Sequence, residues 1–368
     1  MTGIIISIIL VIALEGVILA ATPLIMPPTE CFTVTVPPSA KSDPRIRPLF
    51  RTHTVLVAIC TAIGMECAAI MLPKGDDISA TVGMLLATIL PGTASFAYML
   101  HARARVQAIK REEGWTASAS HTAAIISDET IPQPLPLAWE LLHVVVVIVL
   151  AAFGLLAYDR LPDQIPMHAG FDGVVTDYAE KTFLVAMFPA LLAAFMGIAF
   201  AFTHWSILNS KRPVDPEAPA TSALAYGQYA RAQSIVMLVG GLLLSVTIGA
   251  AFFLSSMGVI TLGSAGLVVT IAAIVFVVPE IWVSLHYGQA GGRLAGELRS
   301  SDGVARDDDE HWALGIFYVN RDDPSIFVPK RFGSGWTLNC GCPTAWIAIG
   351  LFALVTIAFV VASLVIAG

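Results

Sequence analysis

The chain contains eight apolar runs of about 20 residues, and these runs constrain its fold more than any other feature. A run of that length suffices for a helix across the hydrocarbon core of a bilayer. Because lipid offers no hydrogen bonds, the backbone must satisfy its own, and a spanning run is a helix. Charged residues make up 13% of the chain, about half the share in soluble domains. The runs lie at about 4–25, 52–73, 78–100, 136–157, 183–205, 232–255, 258–285 and 344–367.

We therefore predict an all-α polytopic membrane protein with about eight transmembrane helices and a small cytoplasmic β-like cap. The first run has no basic segment before it and is interrupted by Glu15, so we interpret it as a helix rather than a signal peptide. The predicted parts are helices 1–4 with basic cytoplasmic loops (1–157), an extracytoplasmic loop (158–182), helices 5–7 (183–285), a cytoplasmic module (286–343) and helix 8 (344–368).

The basic residues predict the orientation of the chain. Of the 20 Lys and Arg residues, 17 lie in the connections after runs 1, 3, 5 and 7. The other connections hold only Lys74, Arg160 and Lys181. Because short cytoplasmic loops are enriched in Lys and Arg, both termini and the 158–182 loop are predicted outside. The expected location is a bacterial cytoplasmic (inner) membrane, crossed several times.

One polar loop, LPDQIPMHAGFDGVVTDYAEK over 161–181, stands out among the apolar runs. Its histidine has an unperturbed pKa near 6.5 and can change charge at a membrane surface. Three interpretations of His168 stay open: a brace within a Pro/Gly-rich turn, a contact for an external ligand, or a metal ligand together with carboxylates. The predicted ligand-binding residues are His168, Asp172, Asp177, Tyr178 and Lys181.

Three glutamates, Glu15, Glu66 and Glu280, lie inside predicted spans. Carboxylates in a membrane are costly and are therefore candidates for function. Their different depths could form a proton pathway, or the three could be protonated packing residues.

The cytoplasmic module contains two short β-like runs, 316–319 and 326–328, around the turn-forming 321–324. In the first cytoplasmic loop, Phe32, Val34 and Val36 alternate with threonines, as in a strand. We expect these segments to lie together as a small β-structure under the bundle. The candidate functional residues of the module are Asp322, Asp323, Lys330, Arg331 and Trp336.

No motif of a nucleotide-binding, hydrolytic or zinc-protease site occurs in the sequence. We predict no enzymatic activity, no cofactor and no metal site. The net charge of −7 is divided among loops, and no nucleic-acid partner is expected.

The 161–181 loop resembles the signature of the membrane family known as domain of unknown function 1648. The matching positions are Leu161, Pro162, Ile165, Pro166, His168, Gly173, Tyr178 and Lys181. Ala169 and Thr176 depart from the pattern, and Asp177 lies one place beyond the usual acidic position. The segment YVNRDDPSIFVPKRFGSGWTLN resembles a second module, domain of unknown function 5808. The first family includes SdpI-type immunity proteins, which protect a bacterium from its own toxin and can bind a cytosolic repressor.

The resemblance and the loop chemistry together favour a non-enzymatic sensor or immunity-type protein. It would recognise an extracytoplasmic peptide or toxin and signal to a cytosolic regulator, with membrane lipids around it. A proton-coupled transporter and an accessory subunit of a larger membrane complex are the alternatives.

Overall fold

The computed structural model describes residues 3–74, 77–117, 131–170, 174–215, 218–297, 304 and 307–367. Over these residues the chain is mostly helical, and eight helices are long and apolar enough to cross a membrane. This confirms the predicted fold class: a multi-pass membrane protein. The α-helices are α1 (Gly3–Ile25), α2 (Arg47–Met71), α3 (Asp77–Glu112), α4 (Leu142–Leu156), α5 (Phe183–Ala186), α6 (Phe188–Leu208), α7 (Pro219–Ser256), α8 (Leu262–Tyr287), α9 (Gly292–Glu297) and α10 (Pro343–Ala367).

Several helices differ in length from the apolar runs that predict them. Helix α3 continues into the basic segment as far as Glu112, and α7 begins at Pro219, well before its apolar run. The predicted fifth helix, 183–205, is in fact broken. A single turn, α5, ends at Ala186, and α6 begins at Phe188 with Pro189 in its first turn. A proline is tolerated there because the first-turn N–H groups have no helical partner.

The helices form one connected bundle. Helix α2 packs on α1 and α3, α7 packs on α6 and α8, and α1 against α8 joins these two groups. Helices α4 and α10 lie against α6. The turn between α7 and α8 is short, with Gly258 at a φ of +71°, which a glycine adopts without strain. The two helices are antiparallel neighbours, as the short connection predicts.

Four two-stranded antiparallel sheets occur in the described part of the chain. The β3–β4 hairpin packs with Met257 and Ile366 at one end of the bundle, called here the hairpin end. The other three sheets lie at the opposite end, called the module end, around residues 307–342 of the module. The strands are β1 (Glu30–Cys31), β2 (Val34–Thr35), β3 (Gln164–Ala169), β4 (Val175–Glu180), β5 (Trp312–Ala313), β6 (Phe317–Tyr318), β7 (Phe327–Pro329) and β8 (Trp336–Leu338).

The two segments expected to form a joint β-structure are neighbours but belong to different sheets. Strand β2 pairs with β1, and β7 pairs with β8. Side chains join the two hairpins instead: Arg331 Nη1 donates to the Thr33 carbonyl over 2.8 Å. The predicted strand in the first loop is also shorter than its alternation suggests. Phe32 and Thr33 have φ values of 45° and 67° and form the turn of the β1–β2 hairpin.

Candidate functional site

The β3–β4 hairpin is formed by the loop that the sequence singles out. Ile165 and Met167 of β3 and Ala179 of β4 are buried, while their neighbours are more exposed. This alternation is typical of a strand with one face packed on a core. The Gly170 N–H donates to the Val174 carbonyl over 2.8 Å across the turn. Asp172 and Gly173 lie outside the described residues.

His168 and Asp177 lie side by side on the outward face of this hairpin. They are paired across the two strands, with register irregularities on both sides of His168. The His168 Nδ1 and Asp177 Oδ2 atoms are 3.6 Å apart, and the side chains are 64% and 56% exposed. The irregular register thus puts Asp177 opposite the histidine, although it lies one place beyond the usual acidic position. The His168 side chain therefore faces solvent.

Lys181 closes the base of the hairpin. Its ammonium donates to the Leu161 carbonyl over 3.1 Å and lies 3.3 Å from an Asp163 carboxylate oxygen. The Lys181 N–H donates to the Asp163 carbonyl over 2.8 Å. These contacts give Lys181 a bracing position, whereas Tyr178 is 50% exposed beside the His168 pair.

The inner face of the hairpin packs on the ends of two spans, the fifth and the eighth. Ile165 and Met167 belong to an apolar cluster with Phe188 at the start of α6 and Ile366 at the end of α10. The hairpin therefore rests on the two helices that also contact the module.

In the module, Asp323 lies at the centre of a polar network. Lys211, just after α6, forms an ion pair with its carboxylate. The Tyr318 hydroxyl donates to Asp323 Oδ2 over 2.9 Å. Burial alone would raise the pKa of Asp323, but hydrogen bonds from Lys211 and Ser325 hold it well below its ordinary value. The network ties the module to the end of α6 with an ionised carboxylate.

Arg331 lies at the centre of a second network and is 4% exposed. Its guanidinium forms ion pairs with Asp308 and Asp309 and lies 3.7 Å from a Glu30 carboxylate oxygen. Burial tends to raise the pKa of Asp309, but Arg331 and a hydrogen bond from Lys110 outweigh it and lower that pKa to about 2. Arg331 thus joins the first loop to the module.

The remaining predicted module residues have different environments. Asp322 is exposed, and Trp336 is partly buried with its ring centroid 5.7 Å from that of Tyr229 in α7. Lys330 and Arg331 line a cavity of about 240 Å³ between the first loop, the residues after α6 and α8, and the module.

The intramembrane glutamates are not joined by any contact among the described residues. Glu280 of α8 accepts a 2.5 Å hydrogen bond from Gln233 of α7, which is 3% exposed. Glu15 is half-buried in α1, and Glu66 is exposed on α2. Of the three, Glu280 alone has a polar partner inside the bundle within the part of the chain that the structure describes.

A buried polar cluster at the module end was not predicted. Glu140 begins the fourth span, His143 follows it by one helical turn, and His204 comes from α6. The distance from His204 Nδ1 to Glu140 Oε1 is 2.7 Å. The spacing Glu-x-x-His in an apolar run was a signal for two of these residues, but sequence gives no sign that His204 joins them.

These features define a multi-pass membrane protein with one polar hairpin at one end and an ion-paired module at the other. Comparison with known families adds two matches. Residues 145–193 match the domain of unknown function DUF1648, and residues 321–346 match the family of unknown function DUF5808. The chain therefore contains a DUF1648 domain, centred on the hairpin, and a DUF5808 segment in the module, as its motifs predict. No curated protein and no solved structure matches the chain.

Proposed function

We propose that this protein is a non-enzymatic membrane sensor or immunity-type protein. An external ligand binds at the His168–Asp177 face of the hairpin, and the bound state is passed to the module. The observation that carries this proposal is the course of helix α10. It starts at Pro343, where the module ends, and finishes at the cluster beneath the hairpin.

Helix α6 runs between the same two ends and supports the coupling. It begins beneath the hairpin, and past its last residue the Lys211 N–H donates to the Phe327 carbonyl over 2.8 Å. The α6 and α10 helices touch through two stacked phenylalanine pairs, Phe195–Phe359 and Phe202–Phe352, with centroids 4.1 and 4.6 Å apart. A shift of α10 against α6 would therefore move elements at both ends.

The charges around the hairpin favour a cationic peptide as ligand. Asp159, Asp163, Asp177 and Glu180 are exposed there against a single exposed cation in the described part of the loop, Arg160, since Lys181 is engaged at the hairpin base. Exposed carboxylates attract cations and speed their association. On the inner side, the proposed partner is a cytosolic regulator that reads the module.

The orientation that this proposal requires puts the hairpin outside a bacterial cytoplasmic membrane and both termini on the same side. The 17-to-3 division of Lys and Arg supports it. A reporter enzyme that is active only outside the cytoplasm should work when inserted near Asp172 and fail near Asp308. The reverse pattern of activity would overturn the orientation.

Ligand binding is tested by photocrosslinking in intact cells, with a benzoylphenylalanine probe at Ala169. We expect the probe to capture a discrete peptide, and His168→Ala or Asp177→Asn to reduce its yield about tenfold, because each removes half of the polar pair. A probe at Ile148, which is 61% exposed on α4, is the matched control and should capture lipid. Lipid alone at Ala169, or a yield unchanged by both substitutions, would contradict the proposal.

Proton-coupled transport is the second candidate, favoured by the Glu280–Gln233 contact inside the bundle. A transporter should lose flux on Glu280→Gln and keep it on His168→Ala. A sensor should lose ligand capture on His168→Ala and keep it on Glu280→Gln. An accessory subunit, the third possibility, would purify with a stoichiometric partner regardless of either change.

A further inference from the structure

The cavity at the module end is enclosed by four parts of the chain that are far apart in sequence. Its wall includes residues of the first loop (27–38), of the segment after α6 (211–215), of the segment after α8 (289–296) and of the module (308–331). Its volume of about 240 Å³ lies just below the usual range of roughly 300–1,000 Å³ for ligand pockets. A small molecule bound here would contact all four parts at once.

Much of the cavity wall is apolar and has a fixed backbone. Proline locks its own φ angle, so a proline-rich wall keeps its shape whether or not a ligand is bound, and binding requires little further ordering. Valines add further apolar surface. The prolines of the wall are Pro27, Pro28, Pro38, Pro213 and Pro329, and the valines are Val36, Val214, Val304 and Val328.

The wall also contains three cations, and two of them are already neutralised. Lys211 forms its ion pair with Asp323, and Arg331 is held by the acids described above. Lys330 is different: it is exposed, and its ammonium has no acid partner among the described residues. Partial desolvation lowers the pKa of this ammonium, and no carboxylate offsets the shift. Lys330 is therefore a cation in the cavity wall that lacks a counter-charge.

The other unpartnered polar groups of the wall can also donate hydrogen bonds. Trp312 is 6% exposed, and its indole N–H has no partner within the described part of the chain. Glu30 Oε2 has no partner there either, and burial raises the pKa of Glu30 to about 7, so this carboxyl group is protonated in about half of the molecules at neutral pH. The remaining acids of the wall, Asp215 and Asp308, have partners within the protein.

We propose that this cavity binds a small monocarboxylic acid with an apolar body. The carboxylate pairs with the Lys330 ammonium, and the apolar body lies against the prolines and valines of the wall. A single negative charge matches the single cation that lacks a counter-charge. A phosphate monoester carries a charge of about −1.5 to −2, and its second charge would lie uncompensated in a wall that contains Asp308. The site is separate from the hairpin and does not depend on the ligand proposed there.

Lysine acylation of the full-length protein in lipid nanodiscs tests whether a carboxylate binds at Lys330. A limiting dose of an amine-acylating reagent is applied with or without benzoate, and modification of each lysine is measured by mass spectrometry. We expect benzoate, at on the order of 10 mM for so small a ligand, to slow modification of Lys330 about fivefold. Exposed Lys74, after α2, is the internal control and should react equally with and without benzoate.

Two compounds that match benzoate in size test the role of its charge. Benzyl alcohol is uncharged and should not protect Lys330, and phenyl phosphate should protect it less than benzoate does. Equal modification of Lys330 with and without benzoate would overturn the proposal. Equal protection by benzyl alcohol, or stronger protection by phenyl phosphate, would also overturn it, because the ligand would then not be recognised as a monoanion.

Hydrogen exchange tests whether the same ligand stabilises the elements around the cavity. Benzoate at about ten times its dissociation constant should slow exchange of the β7–β8 amides about tenfold. Lys330→Met should abolish this effect and Lys330→Arg should retain most of it, while exchange without benzoate stays as in the unsubstituted protein. Arg321→Met removes an exposed cation outside the cavity wall and is the matched control that should keep the full effect. Slowing that persists in Lys330→Met would overturn the proposal.

Discussion

Replacement of Arg331 by methionine is expected to detach the module from the first loop. The substitution leaves Asp308, Asp309 and Glu30 partly buried without their shared cation, and only Asp309 keeps a second one, Lys110, among the described residues. Removal of one partner from a buried ion pair costs about 3–5 kcal/mol. Hydrogen exchange should report this as an increase of more than about 100-fold in the rates of β1–β2 and β7–β8 amides. Arg321→Met, at an exposed position in the same module, is the control and should change these rates little.

The loss of module stability caused by Arg331→Met should become smaller as the pH is lowered. In the unsubstituted protein the pKa of Asp309 is lowered to about 2. The stability it contributes is present above its ordinary pKa and is lost only as the pH falls toward 2. Without Arg331 the pKa of Glu30, which burial raises to about 7 even beside that guanidinium, rises further, so mild acid neutralises this charge, while Asp309 keeps its ion pair with Lys110. An Arg331→Met defect that is equal at pH 8 and pH 5 would show that packing of the side chain, rather than charge, holds the module.

Replacement of Asn339 by leucine is expected to unfold the module locally while the spans stay intact. Asn339 is fully buried, and its amide donates to the Asn320 and Asp323 carbonyls over 2.8 and 2.9 Å. Its Oδ1 accepts from the N–H groups of Asn320 and Gly341, both over 3.0 Å. Leucine leaves these backbone groups buried without partners, at about 1–3 kcal/mol for each. We expect a total loss of roughly 4–5 kcal/mol, the low end of the sum for four groups, because Asn320 and Gly341 are only partly buried.

The Asn339→Leu effect is measured by hydrogen exchange at the Asn339 and Cys340 amides, which donate to Ile326 and Tyr318 carbonyls. Their exchange should accelerate by about 100-fold or more, while α6 amides keep their rates. Asn209→Leu removes an exposed side chain that bonds only to its own helix and should have little effect. Equal exchange in the two variants would show that the Asn339 hydrogen bonds are not what holds the module.

The spans were predictable because lipid imposes a single rule on the sequence. A run of about 20 apolar residues has no folded alternative in a bilayer, and all eight runs became helices. The helix ends were less predictable. The basic residues beyond position 100 continue α3 because helical propensity and contacts with the loops, rather than lipid, determine where this helix ends. The break before Phe188 depends on which turn Pro189 occupies, and hydropathy does not report that.

The buried polar contacts at the module end could not be predicted because they join residues that are far apart in the sequence. Phe32 and Thr33 form a left-handed turn without the usual Asn or Gly. Arg103 and Arg331 both donate to the Thr33 carbonyl, from 70 and 298 positions away. Likewise, His204 meets Glu140 only once α6 packs on α4. The residues next to each of these groups in the sequence do not indicate which distant residue will be its partner.

The central claim is that the hairpin and the module are two ends of one signalling unit, and a second photocrosslinking probe tests it most directly. A photocrosslinking probe at exposed Arg321 measures how much of a soluble partner is captured at the module. The measurement is made with and without His168→Ala at the opposite end of the bundle. We predict that His168→Ala lowers capture at Arg321 together with capture at Ala169. Capture at Arg321 that is unchanged while capture at Ala169 is lost would contradict the claim.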